Sequence, residues 1–190
     1  MSRLPSYAAA AIAMALALAG CVVAPHRARE PIPAPMSRRD APQANPAVRS
    51  TQGTPVSSVY MLDTDTCAFI LRRSSQQLLD RIQTVPLEHQ VMSMVTLAEL
   101  LYGVQLSSRK KENRAAVDVL SRHLSVIDWT RDAAEHYADI RADLKKKGQL
   151  IGSNDLMIAA HARSLGAIVV TNNVKDFRRV KGLRHENWMG

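Results

Sequence analysis

Aromatic residues are scarce, at 4% of the sequence. The interior must therefore be aliphatic, and binding of single strands by rows of stacked rings is disfavoured, because such modules rely on aromatic platforms. The chain has 2 cysteines, Cys21 and Cys67, which form neither a disulfide framework nor a metal-finger pattern. Cys67 sits in an apolar stretch and reads as a buried core residue. The 6 histidines are scattered, and His136 and His161 fall on helix-surface or core positions, so no His/Cys set for zinc is evident. The apolar run from Ala8 to Gly20 is too short for a spanning helix.

What is present is an aliphatic chain of 190 residues, 46% hydrophobic, enough for one sizeable domain and something more. The net charge of +8 favours an acidic partner, such as nucleic acid or a membrane surface. Residues 1–58 hold 6 Lys+Arg and 2 Asp+Glu, giving +4; residues 59–190 hold 19 and 15, again +4. The second segment is thus only mildly basic.

Residues 1–58 read as an extension. A basic start at Arg3, the Ala8–Gly20 run and Leu18-Ala19-Gly20-Cys21 resemble a bacterial lipoprotein signal, with Cys21 as the lipidated residue. The stretch from Pro25 to Pro55 is rich in Pro, Ala, Arg, Ser and Gln and reads as a disordered tether. Two expectations follow: a lipid-anchored protein held through Cys21, or a translation start downstream at Met36 or Met61, with a cytoplasmic product.

Residues 59–190 read as an α/β domain. Val59–Leu62, Val91–Val95, Leu124–Ile127, Ala167–Val170 and Leu183–Glu186 are short aliphatic strand candidates. Continuous apolar runs without alternation suit strands buried on both faces. Helices are expected over residues 65–73, 76–83, 96–106, 112–124, 131–147 and 154–165, with a turn or short helix at 175–179. Leu97, Leu100, Leu101 and Val104 carry the helical spacing in the third of these. Gly148 and Gly166 end two helices, and Trp188 closes over a sheet edge. Helices alternating with short buried strands predict a three-layer α/β/α arrangement around a short parallel sheet.

Acids recur where strands end or helices begin: Asp63, Asp65, Glu99, Asp155 and Asp176. Each has a structural explanation. Thr96-x-x-Glu99 fits a capping box. Asp65 and Asp155 lie in first turns, where an anion opposes the helix dipole, and Asp176 suits a turn. Asp63 resists such an account, because it ends a buried strand near the sheet centre, where a lone charge is costly. Acids gathered at one rim repel unless a cation lies among them, and Mg²⁺, a hard ion with oxygen ligands, meets that need. Exposed basic groups at Arg72, Arg73, Arg109–Lys111, Arg178, Arg179 and Lys181 are either phosphate contacts or a solvated charged face.

Two chemistries begin this way. Asp63-Thr64-Asp65-Thr66 fits the opening of haloacid-dehalogenase-like phosphatases, although only 19 residues follow Thr171, too few for their later motifs. The fuller resemblance, across residues 59–190, is to VapC-type toxins of the PIN-domain ribonuclease family. It rests on Tyr60–Cys67, where Asp65 stands in place of the usual Asn, on Ser93–Gly103 with Glu99, on Asn154–Ala162 with Asp155, and on Gly166–Leu183. The resemblance implies a PIN-like fold and metal-dependent hydrolysis of RNA, in tRNA or ribosomal RNA. It implies Asp63, Glu99 and Asp155 as ligands of Mg²⁺ or Mn²⁺, Asp176 as a fourth catalytic acid, and Arg72, Arg73, Arg178 and Arg179 as RNA contacts. Asn172 and Asn173 are candidates to hold Asp155 or a phosphate. It further implies a homodimer and a cognate antitoxin lying across the acidic groove. A cytoplasmic RNA target argues against export; a lipid-anchored, non-catalytic binding protein is the remaining alternative.

Overall fold

The computed structural model describes residues 58–190. The lipobox at Cys21, the tether and the Met36 start lie outside the described residues. In chain order the elements are β1 (Tyr60–Leu62), α1 (Thr64–Arg72), α2 (Gln76–Thr84), a 3₁₀ turn (Leu87–His89), β2 (Gln90–Ser93), α3 (Met94–Leu106) and α4 (Lys110–His123). They continue with β3 (Ser125–Ile127), α5 (Arg131–Lys146), α6 (Ser153–Ser164), β4 (Ile168–Val170), α7 (Val174–Phe177) and β5 (Arg184–Glu186).

The five strands form one sheet in the order β3-β2-β1-β4-β5, and every pairing is parallel. Leu62 pairs with Met92 on one side and Val170 on the other, so β1 is central and the three strands end level. The chain steps outward from β1 to β3 and then returns to the other side of β1 at β4. That reversal is where open α/β sheets leave a crevice beyond the carboxyl ends of their strands. Asp63 is the next residue after Leu62, and it therefore opens into this crevice.

Two aliphatic cores cover the two faces. One gathers Leu62, Ile70, Leu78, Met92, Leu100, Val104, Leu120 and Val170; the other gathers Met61, Ile140, Leu144, Leu156, Ile158, Val169 and Phe177. Adjacent residues Met61 and Leu62 face opposite cores, as the two-residue period of a strand requires. The unbroken apolar strands predicted from sequence arise because both faces are covered. Cys67 is fully buried. Trp188, expected over a sheet edge, instead packs on Tyr60 of the central strand, with ring centroids 5.1 Å apart, and donates to Glu186. Gly166, at φ 63°, ends α6, and the Ala167 amide folds back to the Ala162 carbonyl at 2.9 Å.

The predicted starts of α1 and α3 shift for one reason, whereas α4, from Lys110, and α6, from Ser153, begin early without a side-chain cap. α1 starts at Thr64, because the Asp63 carboxylate accepts from the Thr66 amide at 2.7 Å and so caps the helix. α3 starts at Met94, because the Ser93 hydroxyl accepts from the Val95 amide at 3.1 Å. The expected capping box at Thr96 and Glu99 is therefore not made: Thr96 is buried within the helix, and Glu99 is released for other contacts. β2 correspondingly begins at Gln90, whose buried side-chain amide donates to the carbonyls of Ile82 and Val85 and closes the end of α2. Among the described residues, no helix is long and apolar enough to cross a membrane.

Truncating Leu144, which is fully buried, is expected to cost about 2–5 kcal/mol as Leu144→Ala. Leu106→Ala, at an exposed site, should stay within about 0.5 kcal/mol of the parent. Urea unfolding of both variants checks the contrast, and equal losses would contradict the assignment of the core.

Candidate active site

Four elements bring acids to the rim beyond the central strands. Asp63 follows β1, Glu99 lies on α3, Asp155 in the first turn of α6 and Asp176 on α7. Asp63 is only 3% exposed. Its amide donates to the Val170 carbonyl at 3.1 Å, and the Thr66 hydroxyl donates to that same carbonyl at 2.9 Å. The start of α1 is thereby fixed to the end of β4. Burial raises the pKa of Asp63, while hydrogen bonds from Thr171 and Thr66 oppose the rise.

Asparagine and threonine side chains order the other acids. Glu99 accepts from the Thr64 hydroxyl at 2.6 Å on one oxygen and from the Asn154 amide at 2.7 Å on the other. Asn173 donates to Asp155 at 3.1 Å and to Asp176 at 3.0 Å, standing between them. Arg179 pairs with Asp176 at 3.3 Å. Gly152 leaves Asp155 its room, since a β-carbon there would lie 3.3 Å from the carboxylate.

Asp155 records the crowding. Its pKa is pushed up to about 6, first by burial and then by the charges of Asp63, Glu99, Asp176 and Asp65. Every acid singled out in the sequence thus acts on this one carboxylate. The donors are all hard oxygens, which suits Mg²⁺ or Mn²⁺ and not a soft metal. Among the described residues, no three acidic, histidine or cysteine side chains converge closely enough to enclose an ion as they stand. The Asn173 amide joins two of the carboxylates. It is the chemistry of the donor set, hard oxygens gathered at one rim, that fits a divalent ion.

A groove of about 330 Å³ leads away from the acids between α1, α3 and α4. Thr64, Asp65 and Glu99 stand at its acidic end, and Leu71, Leu100 and Val104 form an apolar floor. Arg72 lines it, whereas Arg73 and Arg178 are exposed elsewhere on the surface. Arg179 is half-buried through its pairing with Asp176, so the two members of the Arg178-Arg179 pair have different surroundings. Asp65 is exposed in the first turn of α1. Asn173, not the exposed Asn172, holds the carboxylates. His161 is a core residue, and His136 accepts from Arg163 at 2.8 Å, both remote from metal ligation.

Sequence reasoning assigned no role to Thr64 or Asn154. Both lie beside predicted acids, and a hydroxyl or amide next to a carboxylate that needs orienting is the signal that marks them. Thr66 and Thr171 lay within the quoted motifs without a role of their own. In the structure Thr66 is spent on the Val170 carbonyl and Thr171 on supporting Asp63.

A carboxylate whose pKa is raised on folding makes the folded state bind more protons than the unfolded chain. Between about 4, its ordinary value, and about 6, the metal-free protein should therefore lose stability as the pH rises. Asp63, shifted the same way by burial, adds to this slope. Asp155→Asn should raise the thermal midpoint at neutral pH and flatten the dependence. Thermal scans in EDTA from acidic to neutral pH check this; a wild-type midpoint climbing steadily with pH would contradict it.

Comparison with known proteins agrees with this geometry. A model of the PIN domain matches residues 60–183. Ribonuclease VapC2 of Rickettsia felis is 36% identical over 131 residues, covering 68% of this chain and 98% of its own. The tRNA(fMet)-specific endonuclease VapC of Salmonella typhimurium is 40% identical over 129 residues, covering 68% and 97%. The solved structure of DNA-bound VapBC from Salmonella typhimurium superposes with a TM-score of 0.66 at 39% identity, over 69% of this chain and 98% of that one. The phosphatase alternative finds no support beside these matches. An all-parallel sheet that ends in acids at its switch point, and relatives covered almost end to end, place this chain in the VapC ribonuclease family of PIN-domain proteins.

Proposed function

We propose that this chain is a divalent-metal-dependent endoribonuclease that cleaves tRNA in the cytoplasm and is held inactive by a cognate antitoxin. The observation that supports it most is the gathering of Asp63, Glu99, Asp155 and Asp176 at one rim, where burial first and the neighbouring carboxylates second raise the pKa of Asp155. Uncompensated carboxylates cost stability, and a structure keeps them where a cation or a cationic group is to be bound.

Asp63 and Asp155, with Glu99 and Asp176, would hold Mg²⁺ or Mn²⁺. A bound ion of this kind lowers the pKa of a water for in-line attack on the phosphodiester and neutralises charge on the departing oxygen. No side-chain nucleophile is then required. The chain's own residues supply orientation. Thr64 and Asn154 fix both oxygens of Glu99, and Asn173 sets Asp155 against Asp176. Burial of Asp63 keeps water from competing for its carboxylate. Arg179, at the edge of the acids, is placed to exchange Asp176 for a substrate phosphate, with Arg72 and Arg178 as outlying contacts. Phosphate contacts of this kind position RNA and weaken with salt.

The groove fits an antitoxin segment with apolar side chains for Leu71, Leu100 and Val104 and a cation for the acidic end. A solved relative is named as a VapBC complex, and tRNA is chosen because another relative is named for tRNA(fMet).

The test is incubation of the full chain, free of antitoxin, with total tRNA in Mg²⁺ or in EDTA. Cleavage in Mg²⁺ alone is expected, and Asp63→Asn should lower the rate by about a hundredfold or more, as for loss of one group that stabilises charge in the transition state. Cleavage that survives EDTA, or an active Asp63→Asn protein, would contradict the proposal.

A further inference from the structure

α3 and α6 are joined by two polar contacts. The first, Asn154 to Glu99 at 2.7 Å, belongs to the acidic rim. The second lies deeper: His161 Nδ1 and Ser93 Oγ are 2.9 Å apart, and both residues are fully buried. Ser93 is the cap at the start of α3, and His161 lies near the end of α6, whereas Glu99 is midway along α3 and Asn154 is at the start of α6. The two helices therefore run in opposite directions. From Ser93 to Glu99 is about 9 Å along one axis, and from His161 to Asn154 about 10.5 Å along the other, at the rise of an α-helix. The two contacts tie the helix pair at matching separations.

We propose that the Ser93–His161 hydrogen bond is a clasp that sets the register of α3 against α6 and so positions Glu99 relative to Asp155. The proposal rests on the nuclease reading for its purpose, but its geometry stands apart from it. Elsewhere α6 offers Leu156, Ile158, Ala159, Ala160 and Ala162 to the interior. Apolar burial is non-directional, so it holds helices together without fixing how far one has slid along the other. A hydrogen bond fixes that offset within a few tenths of an ångström.

The clasp is retained at a cost. Ser93 Oγ already accepts from the Val95 amide. If the Ser93 hydroxyl donates to Nδ1, the imidazole carries its proton on Nε2, which is buried without a partner. If Nδ1–H donates instead, Nε2 is left as a bare acceptor. Burial favours the neutral ring in either case. An apolar pair would avoid the unpaired nitrogen, so stability alone does not account for this one, and register is what a buried polar contact supplies. Ser93 and His161 are thus positioning residues for the acids.

Two variants of the full chain separate this role from packing. His161→Asn keeps an amide where Nδ1 lies; His161→Leu fills the space without the hydrogen bond. Mn²⁺ titration by calorimetry should show affinity weakened about tenfold or more in His161→Leu and held within about threefold in His161→Asn, the scale of outer contacts to a metal site. kcat on tRNA should follow the same order, with KM unchanged. A packing role gives the reverse order, with Leu binding like wild type and Asn weakened by a void, and would overturn the proposal. Should His161→Leu not fold, Ser93→Gly removes the hydroxyl while remaining a tolerated cap, and carries the same expectation. If wild type binds no Mn²⁺, the nuclease reading fails. The clasp is then judged in metal-free crystals of whichever variant folds: an Asn154–Glu99 separation lengthened beyond hydrogen-bond range supports it, and an unchanged one overturns it.

Discussion

One buried carboxylate organises this molecule. Asp63 follows the central strand of a fully covered sheet, where a charge has almost no water to solvate it. Its surroundings answer that cost with local polar contacts and, among the described residues, no paired cation: the Thr66 amide, the Thr171 hydroxyl, and the first turn of α1, which it caps. The Asp63 amide and the Thr66 hydroxyl, both donating to the Val170 carbonyl, bind α1 to the end of β4 at the point where the chain reverses direction. Fold and site share one set of hydrogen bonds, so the start of α1 cannot move without disturbing both.

The other acids are placed by independent elements, and that division has a physical consequence. Each acid is held at its own helix start or face by a short polar side chain, not by an arginine or lysine, apart from the Arg179–Asp176 pair. Asparagine and threonine orient a carboxylate without cancelling its charge. The rim therefore keeps a concentrated negative field, visible in Asp155, while the chain as a whole is basic. A negative cleft on a positive molecule suits a polyanionic substrate that enters with cations, or a partner that offers a cationic side chain.

Much of the fold was legible because the strands are so short and so apolar. Met61-Leu62 and Val169-Val170 carry no polar residue, since both sheet faces are covered, and they stop at polar residues, Asp63 and Thr171. The helix starts of α1 and α3 were not legible. At both places a residue expected to belong to the strand end, Asp63 or Ser93, serves as the cap, and sequence spacing cannot rank two capping residues a few positions apart. The Thr96–Glu99 spacing was a sound capping signal that lost to a nearer serine. The acids themselves could be read, because acid after apolar strand is a distinctive pattern. Of their supporting residues, Asn173 could be read as a partner of Asp155, but Thr64 and Asn154 could not, because they reach Glu99 across 35 and 55 positions of sequence. His161 was read only as a surface or core histidine; its partner lies 68 residues away.

Anomalous diffraction from crystals of the full chain soaked in Mn²⁺ tests the central claim most directly. The account predicts a peak among the carboxylates of Asp63, Glu99, Asp155 and Asp176, the residues that would hold the ion. A peak elsewhere on the protein, or none at millimolar Mn²⁺ with the acids unchanged, would contradict it.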